Sequence, residues 1–411
     1  MKTNSRFWVH LYWLLLSLLL LFPSNSFGQV ISIDEFLQTN LASREITETF
    51  SYDCPDKYYS STHSDKYLSM TLSRPRTTNT KEGSKAIYDP YRLVIFNSQG
   101  ELLNMQPKYE QFRVAGFLEG DTDYYVFGQG FGDNSETGIY DMDGNLVKPL
   151  SCNGYCSPTG KFYYHQGAAD GGRPLTIYDE NGDRSFTIPT VGSVYKAAAA
   201  SDSTLLLCKG TLALWNINTQ AIIWEREFPG EGRYILDETT QIQFSIPGNI
   251  IALHGIYGYY CFNFQGDFLW ADEDYSIHNN RLECTGVSKS SGDVVVIYTK
   301  QRRSHSVFAK IFNHEGILLE EHEIELGENV EYAGNSGLAA MVFSDYILIR
   351  ISARTADQAS EFATCILYKE NQSWSSAVVS GFWFFLNKGS EAESLIGYDP
   401  RSQQIRGFQL K

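Results

Sequence analysis

Cys152 and Cys156 stand close together in "SCNGYCSP", with Asn153-Gly154 able to turn the chain between them. That makes them the candidate disulfide pair of this chain. The alternative is that Cys156, like Cys208, Cys261, Cys284 and Cys365, is a small apolar residue packed in a strand. No paired Cys or Cys/His spacing suits zinc. In "ADEDYSIH" (271–278) three acids precede His278, but the spacing matches no standard ligand set and reads as a solvated connection. "FGQGFGDNSETG" (127–138) has glycines at alternate positions; a phosphate cradle needs a helix next, and a strand follows instead. The eight histidines are dispersed, and neither G-x-S-x-G nor H-E-x-x-H occurs. No catalytic residue, metal or cofactor is implied.

The side chains that do cluster by chemistry are basic and lie in loops. "SRPRTTNTKEGSKAIYDPYR" (73–92) carries Arg74, Arg76, Lys81 and Lys85; "TKQRRSHS" (299–306) carries Arg302 and Arg303; "SARTADQASE" (352–361) carries Arg354. Gathered on one face they would form an Arg-rich docking patch for an acidic protein or glycan. As independent loops they are solvated charge.

What must position them is a repeated hairpin. "LVIFNSQGELL" (93–103), "TGIYDMDGNLV" (137–147), "LTIYDENGDRS" (175–185), "LALWNINTQAI" (212–222), "YYCFNFQGDFL" (259–269) and "AKIFNHEGILL" (309–319) share one pattern. An alternating apolar run meets Asp or Asn, and Gly follows three residues later. The alternation predicts a strand. The Asp or Asn side chain caps the backbone two residues on, and Gly supplies positive φ, so each string is a tight hairpin tip. The Gly column falls at 100, 144, 182, 219 (Thr here), 266 and 316, in steps of 44, 38, 37, 47 and 50. Upstream of each tip lies a second hairpin, as in "GYCSPTGKFYYHQG" (154–167) and "IQFSIPGNIIALHG" (242–255). Four short strands per period predict an all-β propeller, and nothing in 29–411 reads as a long amphipathic helix.

"SPTGKFYYHQGAADGGRPLTIYDENG" (157–182) resembles the WD-repeat-like propeller unit, with its Ser-Pro-x-Gly-Lys turn and closing Tyr-Asp-x-x-Gly. "LALWNINTQAIIWERE" (212–227) resembles a quinoprotein-like (PQQ-like) propeller repeat. The resemblance implies a propeller over most of 55–411. It carries no cofactor, because the adjacent-cysteine pair of PQQ dehydrogenases is absent. "GFWFFLNKG" (381–389), "ESLIGYD" (393–399) and "IRGFQL" (405–410) then supply three inner strands of a last blade, and "REITETFSY" (44–52) its outer strand. Eight blades closed by the N-terminal segment are expected, with seven as the alternative.

Residues 1–28 stand outside that fold. Lys2 and Arg6 precede the apolar run "FWVHLYWLLLSLLLLF" (7–22), and Ser26 and Gly28 occupy the positions a signal peptidase reads. The pattern is a secretory signal cut before Gln29, shorter than the ~20 residues of a span. Without Lys2 and Arg6 the chain carries 31 bases against 48 acids, a net charge of −17. Such a body repels phosphate backbones, so nucleic acid is a poor partner. The expectation is an exported, periplasmic or secreted module, 29–411, that binds a protein or glycan without catalysis. The alternative is a secreted hydrolase or lyase with a funnel site. Carboxylates or histidines clustered at the channel mouth would favour the enzyme.

Overall fold

The computed structural model describes residues 30–410, apart from 42–44, 55–56, 65, 74, 81–82, 89–90, 109–111, 130–136, 151–154, 167–174, 182, 189–195, 209, 229–239, 256–257, 274, 276–279, 301–303, 328–329, 336–339, 356–359, 371–372 and 389–390. The Cys152–Cys156 pairing falls on residues partly outside that set, as does His278.

Eight antiparallel sheets follow one another round a ring, so the chain is an eight-bladed β-propeller. Blades one to six span 57–108, 112–149, 155–188, 196–227, 241–272 and 281–325; blade seven spans 330–380. In blades one to six four strands run from the axis outward. Inner strands of neighbouring blades touch around the ring, as Lys57–His63 does Phe112–Leu118 and Gln241–Ser245 does Arg281–Val287. In an antiparallel meander the first-to-second and third-to-fourth turns share one face of the disc. The second-to-third connections open on the other. The core lies between blades, as aliphatic and aromatic layers such as Leu206, Leu214, Trp224, Ile251 and Phe262 between blades four and five.

The last blade is closed by the N-terminal segment. Its inner three strands are Phe382–Lys388, Glu391–Asp399 and Gln404–Leu410, and its outer strand is β2 (Ile46–Asp53), paired with Gln404–Leu410 from Ile46↔Leu410 to Asp53↔Gln404. Ahead of β2 come β1 (Val30–Ile31), which lies parallel on the outer strand of blade seven, and α1 (Ile33–Asn40). Ser32 caps α1, its hydroxyl accepting from the Glu35 amide at 3.2 Å. "SIDE" is thus the Ser-x-x-Glu start signal of a helix. Ile33, Phe36 and Leu37 are buried in the cluster that joins blades seven, eight and one. Arg406 donates to both Asp34 oxygens at 2.9 Å and to Glu48 at 2.9 Å, tying α1, β2 and the last strand together. Those carboxylates push the guanidinium's pKa further up.

The repeated string proves to be the third-to-fourth-strand tip of blades one to six. The Asx caps are present: Asn97 Oδ1 accepts from the Gln99 and Glu101 amides, Asn263 Oδ1 from Gln265 and Asp267, Asn313 Oδ1 from Glu315 and Ile317. Gly100, Gly144, Gly266 and Gly316 hold positive φ. Their second role is packing. A Cβ on Gly266 would lie 2.6 Å from the Trp224 ring of the preceding blade, and one on Gly316 would overlap Trp270. In blade four, where Thr219 replaces Gly, the turn is one residue longer and Gln220 takes positive φ at 52°. In blade eight the Asp399 turn joins the second and third strands instead.

A β-bulge opens the outer strand in each of blades one to six, with Leu103, Val147, Ser185, Ile223, Leu269 and Leu319 as the extra residue. Bulges twist an edge away from intermolecular pairing. Beyond the blade-six bulge, Glu321, Glu323 and Glu325 are exposed and Ile324 is buried, as strand alternation requires, and Leu318 is exposed next to the bulge. Among the described residues no helix is long and apolar enough to cross a membrane.

Candidate functional site at the mouth of the central channel

The first-to-second-strand turns surround the axis on one face. In blades three, five and six the turn begins with a serine whose hydroxyl caps it: Ser157 accepts from the Phe162 amide at 3.2 Å, Ser245 from Gly248 at 3.2 Å and Ser288 from Ser291 at 3.3 Å. The turns also brace one another. The Ser245 hydroxyl donates to the Lys289 carbonyl at 3.0 Å, and Gly248 packs on the backbone of Gly292 with no room for a Cβ. Asp202 accepts from the Thr159 amide at 2.8 Å and its hydroxyl at 2.6 Å. Asp123 accepts from Tyr67 at 2.6 Å and lies 3.5 Å from Lys66.

Within this collar lies a depression of about 760 Å³. Blades one, three, four, five, six and seven all contribute to it. Its walls are apolar: Ile242, Phe244, Ile246, Val287, Met341 and Phe343 are the larger side chains. Ile246 stands at the tip of its turn, 63% exposed. Among the described residues the polar lining comprises His63, Gln243, Lys289 and Ser290, with no carboxylate. The His63 imidazole is held well below its ordinary pKa by burial, and then by the positive charges of Arg350 and Lys289. Arg350 is 1% exposed, on the second strand of blade seven, with its guanidinium 4.6 Å from the centre of the Phe384 ring. The His63 ring lies 6.0 Å from that same ring. A neutral imidazole and an ammonium among aliphatic walls offer no acid–base pair. They offer an apolar receptacle with a positive lean.

A second polar cluster is structural. Glu283, on the inner strand of blade six, is buried and accepts from Thr299 at 3.1 Å and from Tyr332 of blade seven at 2.8 Å, with Arg281 at 3.3 Å. Burial raises its carboxyl pKa and that of the Tyr332 phenol. Among the described residues no group of His, Cys, Asp and Glu could hold a metal ion.

Of the basic residues singled out from sequence, Arg76, Lys85 and Arg354 belong to elements that lead toward the opposite face. Arg354 is exposed near the end of the long second strand of blade seven, Tyr346–Thr355. Arg76 and Lys85 sit on a two-stranded ribbon, Pro75–Thr80 with Gly83–Tyr88, inserted between the second and third strands of blade one. Arg74, Lys81, Arg302 and Arg303 lie outside the described residues. Sequence reasoning missed the channel mouth, because six distant turns build it. One signal was legible: Ile246 in "SIPG" is a bulky aliphatic at a tight-turn tip where the matching turns carry Pro158, Asp202 and Lys289.

No family model matches the chain, and no curated protein sequence does. Among solved structures it is similar to Saccharomyces cerevisiae Sqt1, with TM-score 0.50 and 10% identity over 87% of this chain and 97% of that one. It is also similar to a chain described as a eukaryotic initiation factor, with TM-score 0.48 and 11% identity over 85% and 83%, and to one in the mitotic checkpoint complex, with TM-score 0.45 and 12% identity over 77% and 91%. The fold is WD-repeat-like. The quinoprotein-like half of the resemblance receives no support. Likeness at this identity speaks for fold alone.

Proposed function

We propose that this protein is an exported, non-catalytic propeller that holds a protein partner at the apolar mouth of its central channel. The observation that carries the reading is the depression itself: about 760 Å³, within the ~300–1,000 Å³ typical of ligand pockets, walled by aliphatic and aromatic side chains, with no carboxylate among its described lining residues. The enzyme alternative called for carboxylates or histidines gathered at this mouth; one neutral imidazole lines it. A glycan calls for a dense array of hydrogen-bonding groups, and these walls favour an apolar protein anchor instead. The basic loops, with Arg354 exposed, would add a contact for an acidic neighbour on the other face. Export rests on the apolar run 7–22 and the small residues before Gln29.

A photo-crosslinking residue placed at 246 is expected to capture the partner in cells, and one placed at 354 to capture less or none. Adducts from 354 alone would overturn the docking site. The amino terminus of the purified protein is expected to be Gln29; recovery of Met1 would overturn export.

A further inference from the structure

Among the described residues that line the depression, the charge is one-sided, although the collar around it carries Asp123 and Asp202. The chain has 48 acids against 33 bases, yet among the described residues no Asp or Glu lines the pocket. Lys289 stands at its rim, held in place through its own carbonyl by Ser245. Arg350, buried on the second strand of blade seven, lies behind the wall against the Phe384 ring of blade eight. Both cations reach His63 electrostatically. In a low-dielectric hollow such a field is screened far less than on open surface. An anion entering it gains charge-assisted contact without displacing a resident carboxylate from the wall.

Shape narrows the ligand further. The walls come from six blades around the axis, so the hollow is a funnel end and not a trough. An internal chain segment would have to enter and leave through the same ring of turns. A chain end has only to enter.

We infer that the channel mouth binds the C-terminal residue of a partner chain, its aliphatic or aromatic side chain against Ile246, Phe244 and Phe343 and its free carboxylate toward Lys289 and His63. The inference rests on the channel-mouth reading above and names the chemistry of its ligand.

The test uses the full exported chain and two probes, N-acetyl-Ala-Leu-Phe with a free carboxylate and the same peptide as its C-terminal amide. Calorimetry at pH 7 is expected to show the acid binding at least about tenfold more tightly than the amide, the size of a charge-assisted hydrogen bond. Lys289→Met, at an exposed position, is expected to collapse that ratio to about threefold or less while amide affinity holds. Added salt should weaken the acid and spare the amide. The His63 ring resonances should titrate at higher pH when the acid is bound. Equal binding of acid and amide, or a ratio untouched by Lys289→Met, would overturn the inference. Hexanoate competing as strongly as the peptide acid would assign the site to small organic acids and overturn it too. If neither peptide binds while the crosslinker at 246 still captures a partner, this inference falls and the docking reading stands. If position 246 captures nothing, both fall.

Discussion

The rim and the axis of the disc are built on the same repeat and use it differently. At the rim, the third-to-fourth-strand tips are nearly uniform: an Asx cap, a positive-φ residue, and in blades five and six a glycine seated on a tryptophan of the blade before. At the axis, the turns of blades three to six share a leading serine and mutual bracing, but the residue after the serine changes from Pro158 to Asp202 to Ile246 to Lys289. Uniform residues hold blades together. Varied residues on a uniform frame present a surface. Rim lesions should therefore cost stability, and axis lesions should cost binding.

The largest expected effect comes from removing residues 29–56. This takes away β1, α1 and β2, with Ile33, Phe36 and Leu37 from the core and both carboxylate partners of Arg406. It also removes Phe50, stacked 4.9 Å from Phe96 of blade one, and bares an unpaired edge. The melting temperature is expected to drop by at least about 10 °C, or the protein to aggregate. An unchanged melt would make the segment an appendage and place closure elsewhere.

Next is Gly316→Ala, with Gly210→Ala as its internal comparison. Both glycines hold positive φ, at 82° and 79°. A Cβ at 316 overlaps Trp270, and one at 210 meets nothing within 4 Å. Backbone strain alone should cost ~1 kcal/mol at 210, and strain plus overpacking ~2–4 kcal/mol at 316, read from urea denaturation. Equal losses would mean that the tip glycines serve conformation only.

Glu283→Ala joins the two regimes, since it sits on an inner strand but bonds across blades six and seven. It leaves the buried Tyr332 and Thr299 hydroxyls without their acceptor and should cost ~1–3 kcal/mol. A stability equal to the parent's would show that water replaces the carboxylate.

Much of the rim was legible in the sequence because its determinants are local. Alternation, Asp or Asn, and Gly sit within eleven residues, and the expected outer strand at 44–52 is observed at 46–53. Three things were not. The glycine's neighbour is a tryptophan some forty residues earlier, so its packing role has no local signature. The Gln220 turn shows that a longer loop can supply positive φ without Gly. Helix α1 is only eight residues long, too short to stand on propensity, and it forms because Phe36 and Leu37 find a ready core. The axis was scarcely legible. Its lining is assembled from six blades, and only Ile246 at a turn tip announced it. The charge of the basic loops, by contrast, is plain in the sequence; of those residues Arg354 alone has a described side chain, and it is exposed.

A smaller effect on stability should come from His63. Its folded pKa lies below the ordinary 6.5. The unfolded chain then binds a proton more readily, so stability is fully present above pH 6.5 and is lost as pH falls toward the folded value. Partial exposure limits the term to ~1 kcal/mol or less between pH 7 and 5. His63→Gln should flatten that part of the pH profile, and a profile identical to the parent's would remove His63 from it.

The most direct test of the division between rim and axis is Ile246→Glu. The side chain is exposed, so the thermal melt should match the parent's to within ~0.5 kcal/mol. A carboxylate set into the apolar mouth should nonetheless abolish retention of the partner identified by crosslinking at 246, measured with both proteins purified. A folded Ile246→Glu protein that keeps the parent's affinity for that partner would contradict the account, and the channel mouth would be architecture like the rim.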